Sequence, residues 1–333
     1  MKLIHLFAAI LIFASCKSNK EISVRTMGKI EVMDTALVAV LDTNAQFEII
    51  AEGHEWTEGP LWIEAEKKLL YSDIPNNKIY QWTAEKGSQL YLDKAGYTGS
   101  ATRGGELGSN GLLLDKNGRL VLCQHGDRRI AVMDAAINKP ESNFITLADQ
   151  YDGKKLNSPN DACFRSNGDL FFTDPPYGLV GKMDDPGKEL TFQGVYKLSN
   201  GKVQLLTDSI TRPNGIVLLN NEKTLLIANS DPDVSKWYLF DLGPGDSLIN
   251  PRLLFDASAY VNHNSKDLPD GMKVDSKGNI FATGPGGVFI FNAEGKLLGR
   301  MLIPELCSNV ALTSDEKTLF ITADNYVLRV KLR

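Results

Sequence analysis

One pattern of residues recurs six times along the 333-residue chain: a short apolar stretch, a polar turn and a second apolar stretch. The six copies begin at Gly59, Gly111, Asp161, Gly215, Gly271 and Val310. Central turns such as Lys116-Asn117-Gly118 and Ser276-Lys277-Gly278 have the Asn, Ser and Gly residues typical of tight hairpins. Each copy is therefore predicted to be a β-hairpin, and a repeat of this kind restricts the fold to an array of similar sheets.

The strands that follow each hairpin indicate how the array closes. A third apolar strand follows every hairpin, and a fourth follows five of them, but the last unit reaches Arg333 with only three. An unassigned strand at residues 46–51 precedes the first unit. An open array or a sandwich would not leave one incomplete unit at one end and one spare strand at the other. We therefore predict an all-β fold, a six-bladed β-propeller over residues 46–333, whose last blade is closed by the N-terminal strand.

Composition excludes several classes of function. The net charge is −5, from 36 basic and 41 acidic residues, and no run of Lys and Arg is present, so nucleic acid is not an expected partner. The four cysteines lack the paired spacing of zinc fingers and redox motifs. We expect a monomer that acts on a small molecule.

The N-terminus has the layout of an export signal. Residues 1–15 contain an early Lys2, an apolar run too short to span a bilayer, and small residues before Cys16. This layout resembles a bacterial lipoprotein signal and predicts a lipidated Cys16; the alternative is a plain signal peptide with an incidental cysteine. Residues 16–45 are then a lipidated cysteine and a linker. These predictions place the protein in the cell envelope, periplasmic or tethered to the outer membrane, with membrane contact only through the lipid.

A polar residue immediately precedes each innermost strand of the predicted propeller. These residues are Glu58, Asn110, Asn160, Asn214, Asp270 and Asn309. Because the first strand of each blade lines the central channel, the six side chains are expected to converge at one mouth. A ring of carboxylate and amide oxygens suits a hard divalent cation, Ca²⁺ above all, with Mg²⁺, Mn²⁺ or Zn²⁺ left open. The alternative is that Asn and Asp simply favour the turns at strand entry.

Four dispersed motifs resemble the SMP30/gluconolactonase/LRE-like family of six-bladed propellers. They are EGP at residues 58–60, SPND at 158–161, PNG at 213–215 and PDGM at 269–272. The resemblance implies a divalent cation held by Glu58, Asn160, Asn214 and Asp270. The stretches LNSPND and TDPPYGL are most similar to bacterial gluconolactonases.

Loops after the second strands return to the mouth where the first strands begin, because the two strands are antiparallel. His125, Asp174 and Tyr177 lie in such loops. A neutral His125 is a candidate acid or base, or a group that only hydrogen-bonds the substrate. Arg128 either binds the oxygens of a sugar acid or is an ordinary surface arginine. Asn110 is expected to contact the substrate or to complete the cation's coordination.

The chemistry that these residues favour is hydrolysis of a sugar lactone, an expectation that draws on the family resemblance. The cation would polarise the carbonyl group, and Asp270 would orient or deprotonate the attacking water or attack directly. Two alternatives stay open: a phosphotriesterase or arylesterase that uses the same cation site, and a non-catalytic, lipid-tethered binding propeller.

Overall fold

The computed structural model describes residues 24–262 and 267–333, which form six antiparallel sheets, blades 1–6, around a common axis. The predicted all-β, six-bladed propeller is confirmed. The predicted export signal and Cys16 lie outside the described residues. Within the described ranges the only helices are 3₁₀ turns, at Thr35–Ala39, Glu64–Glu66, Lys182–Asp184, Pro244–Asp246 and Ser258–Tyr260. None of them is long or apolar enough to cross a membrane.

The strands follow one another blade by blade along the chain. Three N-terminal strands come first: β1 (Thr26–Met27), β2 (Lys29–Val32) and β3 (Phe47–Ala51). Blade 1 contains β4 (Thr57–Ile63), β5 (Lys68–Asp73), β6 (Lys78–Thr83) and β7 (Gly87–Asp93). Blade 2 contains β8 (Ser109–Leu114), β9 (Leu120–Gln124), β10 (Arg129–Met133) and β11 (Phe144–Ala148), followed by a small hairpin of β12 (Gln150–Tyr151) and β13 (Lys154–Lys155). Blade 3 contains β14 (Ala162–Phe164), β15 (Leu170–Asp174), β16 (Gly194–Ser199) and β17 (Lys202–Thr207).

The second half of the chain repeats this order. Blade 4 contains β18 (Pro213–Leu219), β19 (Thr224–Asp231), β20 (Val234–Leu242) and β21 (Leu248–Asp256). Blade 5 contains β22 (Met272–Val274), β23 (Ile280–Gly284), β24 (Gly287–Phe291) and β25 (Leu297–Leu302). Blade 6 contains β26 (Cys307–Leu312), β27 (Thr318–Ala323) and β28 (Tyr326–Lys331).

The hairpin turns form for the reason that the sequence indicates. Gly118 and Gly278 both have a positive φ, 75° and 84°, which favours glycine in these positions. In the first turn the Oδ1 atom of Asp115 accepts the backbone N–H groups of Asn117 and Arg119 at 2.8 and 2.9 Å. These side-chain bonds satisfy the turn's backbone donors and set the register of the two strands.

Apolar side chains fill the interfaces between neighbouring blades. Six clusters of buried hydrophobic residues occupy the six interfaces of the described ring. Between blades 4 and 5, for example, Trp237 packs against Phe289 with ring centroids 5.2 Å apart. Each blade therefore buries both of its faces against its neighbours, and no blade has a core of its own.

The ring closes as predicted. β3, from the N-terminal part of the chain, pairs antiparallel with β28, so that Ala51 faces Val327 and Glu48 faces Arg329. Arg329 also donates a hydrogen bond to the Glu48 carboxylate at 2.8 Å. The last blade thus contains strands from both ends of the described chain.

The prediction of a linker over residues 16–45 is wrong for residues 24–45, the part that the structure describes. β1 pairs with β3 at the outer edge of blade 6, and β2 pairs with β25 at the outer edge of blade 5. In the following 3₁₀ helix, Leu37 is fully buried in the apolar cluster between these two blades. The segment therefore fastens blades 5 and 6 together. The sequence prediction missed it because both strands are very short and bury only a few side chains.

Candidate metal centre

The six polar residues predicted to converge do surround the axis at one mouth of the propeller. Four lie near the start of innermost strands, and Asn160 and Asp270 lie two residues before β14 and β22. The innermost strands contact one another in sequence around the ring, from β4 to β26 and back to β4. We call this set the axial ring: Glu58, Asn110, Asn160, Asn214, Asp270 and Asn309.

Glycines next to the ring residues let the blades approach closely. A Cβ atom on Gly59 would lie 2.0 Å from the carbonyl oxygen of Asn110, and one on Gly215 would lie 2.3 Å from that of Asp270. A Cβ atom on Gly271 would lie 2.0 Å from the Asn309 side chain. The Glu-Gly, Asn-Gly and Asp-Gly pairs of the motifs thus join a polar side chain to the glycine that brings the next blade near it.

Buried hydroxyl groups fix the strand starts relative to one another. Each donates a hydrogen bond to a backbone carbonyl on the next blade: Ser72 to Asn110 at 3.0 Å, Thr173 to Asn214 at 2.7 Å, Ser230 to Pro269 at 2.7 Å, Thr283 to Ser308 at 2.9 Å and Ser308 to Thr57 at 2.7 Å. Between blades 2 and 3, the backbone N–H of Gly111 bonds to the Asn160 carbonyl at 2.9 Å instead. The backbone around the ring is therefore rigidly connected before any ligand binds.

Four ring oxygens are buried without a hydrogen-bond partner among the described residues. They are the Oδ1 atoms of Asn110, Asn160, Asn214 and Asp270. In Asn214 the amide N–H group donates to the Ser230 hydroxyl at 3.3 Å, which leaves the amide oxygen free. Buried polar atoms are normally satisfied, so a cluster of orphaned oxygens fits a cation that would satisfy them together.

The environment of the two ring carboxyl groups disfavours their ionised forms. Burial raises the pKa of Glu58 to about 8, although the backbone N–H of Gly59 donates to its Oε2 at 2.7 Å. Burial also raises the pKa of Asp270, and the nearby Glu58 and Asp161 carboxylates raise it further. A divalent cation would reverse this preference, because it stabilises the ionised form of both groups.

Asn309 differs from the other ring amides. Its Oδ1 already accepts the backbone N–H of Val310 at 2.9 Å and the Lys273 ammonium at 3.4 Å. Its side chain hydrogen-bonds to Glu58. The donors available to a cation are therefore Glu58, Asn110, Asn160, Asn214 and Asp270, and Asn309 supports Glu58 from the side. This set contains the four ligands implied by the family motifs, with Asn110 as a fifth oxygen.

His125 is fully buried and lies against the backbone of Glu106. Its Nδ1 lies 3.8 Å from the carboxylate of Glu106. Burial lowers the pKa of His125 to about 3, so the imidazole is neutral at physiological pH. Its role, as an acid or base or as a group that only hydrogen-bonds the substrate, stays a prediction.

Tyr177 lies on the same side of the propeller as the axial ring. Its hydroxyl group is 3.5 Å from the Ser230 carbonyl, and burial followed by the Asp270 charge raises its pKa. The Lys182 ammonium lies 5.8 Å from the Tyr177 ring centroid and 3.8 Å from Glu106. Sequence analysis missed Glu106 and Lys182, because Glu106 lies in a loop and Lys182 at the start of a short 3₁₀ helix, and no periodic pattern marks either residue.

Asp174 and Arg128 both hydrogen-bond to the backbone of neighbouring loops. The Asp174 oxygens accept the backbone N–H groups of Asn157 and Ser158, both at 2.7 Å. Arg128 donates to the carbonyls of Leu156 and Gly187 at 2.7 and 2.8 Å. It lines a separate cavity of about 660 Å³, which none of the axial ring residues lines. Both residues therefore support these loops, and their predicted substrate-binding role stays a prediction.

Comparisons with known proteins agree with this architecture. Residues 56–325 match the model of the SMP-30/gluconolactonase/LRE-like region. A gluconolactonase from Zymomonas mobilis is 34% identical over 314 residues, which cover 92% of this chain and 87% of the relative.

Solved structures show the same fold. A gluconolactonase from Xanthomonas campestris superimposes with a TM-score of 0.77 at 28% identity, covering 92% of this chain and 97% of that protein. Regucalcin from Agrobacterium tumefaciens, a calcium-binding protein, superimposes with a TM-score of 0.65 at 15% identity over 85% of this chain and 93% of its own, which supports the fold alone. The resemblance predicted from the four motifs is confirmed, and the chain belongs to the SMP-30/gluconolactonase/LRE-like family.

Proposed function

We propose that this chain is a divalent-cation-dependent lactonase that opens a sugar lactone to the corresponding hydroxy acid. The observation that carries the proposal is the group of orphaned oxygens on Asn110, Asn160, Asn214 and Asp270. These residues and Glu58 would hold the cation, with Ca²⁺ the best match to an all-oxygen donor set. The similarity to gluconolactonases supports a cyclic ester as substrate.

A cation bound there would supply Lewis-acid stabilisation of the negative charge that develops on the lactone carbonyl oxygen. The protein's own groups would handle the water and the proton. Asp270 would accept a proton from the attacking water, whose oxygen forms a bond to the carbonyl carbon. The ring C–O bond then breaks, and the proton passes to the released alkoxide oxygen. A neutral His125 would orient the substrate or pass on that proton.

The test is hydrolysis of glucono-δ-lactone by the purified chain, followed with a pH indicator after chelation and after addition of Ca²⁺, Mg²⁺, Mn²⁺ or Zn²⁺. Activity is expected to vanish on chelation and to return with one of the ions, while circular dichroism shows that the fold persists. Asp270→Asn is expected to lower kcat/KM by about 100-fold or more, as for loss of a general base. Asp149→Asn, a change at an exposed site, is the control.

Three results would contradict the proposal or a part of it. Full lactonase activity in Asp270→Asn would remove Asp270 from the chemistry. Hydrolysis of phosphotriesters or aryl esters, with no activity on any aldonolactone, would show that the same site catalyses a different reaction. Cation binding without turnover of any of these substrates would favour a binding propeller.

We also propose that the chain is exported and anchored by a lipid on Cys16. The proposal is supported by the apolar run and small residues that precede Cys16. It places the lactonase in the cell envelope, where sugar lactones derived from glycans would be substrates.

A further inference from the structure

A single arginine joins two loops at the mouth of the propeller. Arg103 lies in the loop between β7 and β8, and its two terminal nitrogen atoms donate to different loops. Nη1 donates to the Gly126 carbonyl at 2.8 Å, and Nη2 donates to the Gly178 carbonyl at 2.5 Å. Each of these glycines directly follows a candidate site residue, His125 in the first loop and Tyr177 in the second. Arg103 therefore connects the two segments that carry these side chains.

The guanidinium group is itself held by blade 1. Its central carbon lies 5.4 Å from the centroid of the Tyr97 ring. Asn77, in the turn between β5 and β6, fixes the backbone of this tyrosine: its Oδ1 accepts the N–H groups of Gly96 and Tyr97 at 2.7 and 3.0 Å, and its Nδ2 donates to the Tyr97 carbonyl at 2.8 Å. The arginine is therefore anchored before it reaches the two loops.

Both loops lie beside the axial ring. The backbone N–H of His125 donates to the Gly108 carbonyl at 3.1 Å, two residues before the ring residue Asn110. A Cβ atom on Gly178 would lie 2.6 Å from the Cβ atom of His125 and 2.8 Å from that of Ser158, which is two residues before the next ring residue. Gly178 also donates its N–H to the Ser158 hydroxyl at 2.9 Å. The second loop is thus packed against the first at a point where only glycine fits.

Tyr177 extends from this point towards blade 4. Its hydroxyl oxygen lies 3.5 Å from the Ser230 carbonyl. The Ser230 hydroxyl donates to the Pro269 carbonyl, next to the ring residue Asp270. A contact of 3.5 Å is at the outer limit of a hydrogen bond, so the firm attachment of Tyr177 is at Gly178 and not at blade 4.

We propose that Arg103 is a positioning residue, which holds His125 and Tyr177 beside the axial ring and so determines how tightly a lactone binds there. This inference rests on the proposed function, because it requires a substrate at the mouth. Both hydrogen bonds of the guanidinium group end on backbone carbonyls, so Arg103 acts through the two loops. A planar guanidinium can serve two acceptors on different loops at once, whereas the ammonium group of a lysine is a single point charge.

Two variants of the full chain separate this bridging role from the charge of the side chain. Arg103→Met removes both hydrogen bonds, while Arg103→Lys keeps the positive charge. With glucono-δ-lactone, Arg103→Met is expected to raise KM by about tenfold and to change kcat by less than about threefold, because the loss affects how the substrate is held. Arg103→Lys is expected to raise KM by at least about threefold, since one ammonium group cannot replace both bonds. Arg119→Met, on the turn between β8 and β9 at the opposite end of blade 2, is the matched control and is expected to keep the wild-type constants.

Hydrogen exchange measured by mass spectrometry gives a second result that does not depend on activity. In Arg103→Met, peptides that cover residues 125–128 and 175–181 are expected to exchange at least about tenfold faster than in the wild-type protein. Peptides from blade 5 are expected to exchange at the same rate in both proteins.

A wild-type KM in Arg103→Met, or unchanged exchange in both segments, would overturn the inference. A wild-type KM in Arg103→Lys would also overturn it, because the charge alone would then be sufficient. If Arg103→Met does not fold, Arg103→Lys decides by the same two measurements. A wild-type protein that hydrolyses no lactone would instead refute the proposed function, and the exchange rates would still show whether Arg103 holds the two loops.

Discussion

Leu37 provides the sharpest test of the N-terminal segment as part of the propeller. The side chain has 0% exposure and packs with Phe47, Leu298 and Val310 in the cluster between blades 5 and 6. Leu37→Ala removes this contact and leaves a cavity that the rigid sheets cannot close. Leucine-to-alanine changes in cores cost about 3 to 5 kcal/mol of the free energy of unfolding, so a loss of at least about 3 kcal/mol is expected.

That loss converts into a shift in melting temperature. With an unfolding entropy of about 2.1 cal/mol/K per residue, a propeller of about 300 residues loses about 5 °C for 3 kcal/mol. The measurement is thermal unfolding followed by circular dichroism. The control is Val38→Ala, because Val38 is the next residue in the same 3₁₀ helix and is 46% exposed. A shift below about 1 °C in Leu37→Ala, or an equal shift in both variants, would show that the segment contributes no packing and would refute the reasoning.

Two further predictions concern pH and location. In the cation-free protein the pKa of Glu58 is raised to about 8 from an ordinary 4.5, so the stability that its protonated form gives is present at low pH and is lost as the pH rises towards 8. We therefore expect the melting temperature of the chelated protein to be lower at pH 8 than at pH 5, and we expect added calcium to remove this difference. A chelated protein that is equally stable at both pH values would contradict the burial of Glu58 in a site that disfavours its charged form. For the proposed anchor, Cys16→Ser is expected to move the exported protein from the membrane fraction to the soluble fraction, as judged by fractionation and immunoblotting, and an unchanged distribution would contradict lipidation.

The fold was predictable because the propeller repeats its signals. Six hairpins, each with a polar turn such as Asp115 to Gly118, outweigh the ambiguity of any single strand, and the spare strand at residues 46–51 determines how the ring closes. β1 and β2 were not predictable in the same way, because strands of two and four residues have no usable period. Their positions depend on pairing with the outer edges of blades 5 and 6, and these edges exist only after the rest of the chain has folded.

The site was predictable in its position but not in all of its contacts. The starts of the innermost strands lie at the mouth in every propeller blade, so topology alone brings Glu58 and Asp270 near the axis. Topology also places the ends of the second strands at this face, and for this reason the sequence predicts Asp174 and Arg128 as substrate-binding residues. Whether a side chain there points to a ligand or to its own loop depends on which backbone N–H and carbonyl groups the loop leaves unsatisfied. For Asp174 these are the N–H groups of Asn157 and Ser158, and no sequence pattern marks them.

The same reasoning separates residues that are chemically identical. In the sequence, Asn309 and Asn214 are equivalent members of one ring. In the structure the Asn214 oxygen is free because Ser230 engages the amide nitrogen, whereas the Asn309 oxygen is occupied by Lys273 and Val310. A ligand and a supporting residue thus differ only in what their neighbours bond to. The hydrogen bonds of a supporting residue such as Asn309 are present before any ion binds. Removing its side-chain oxygen should therefore destabilise the cation-free protein more than removing the oxygen of a ligand such as Asn214.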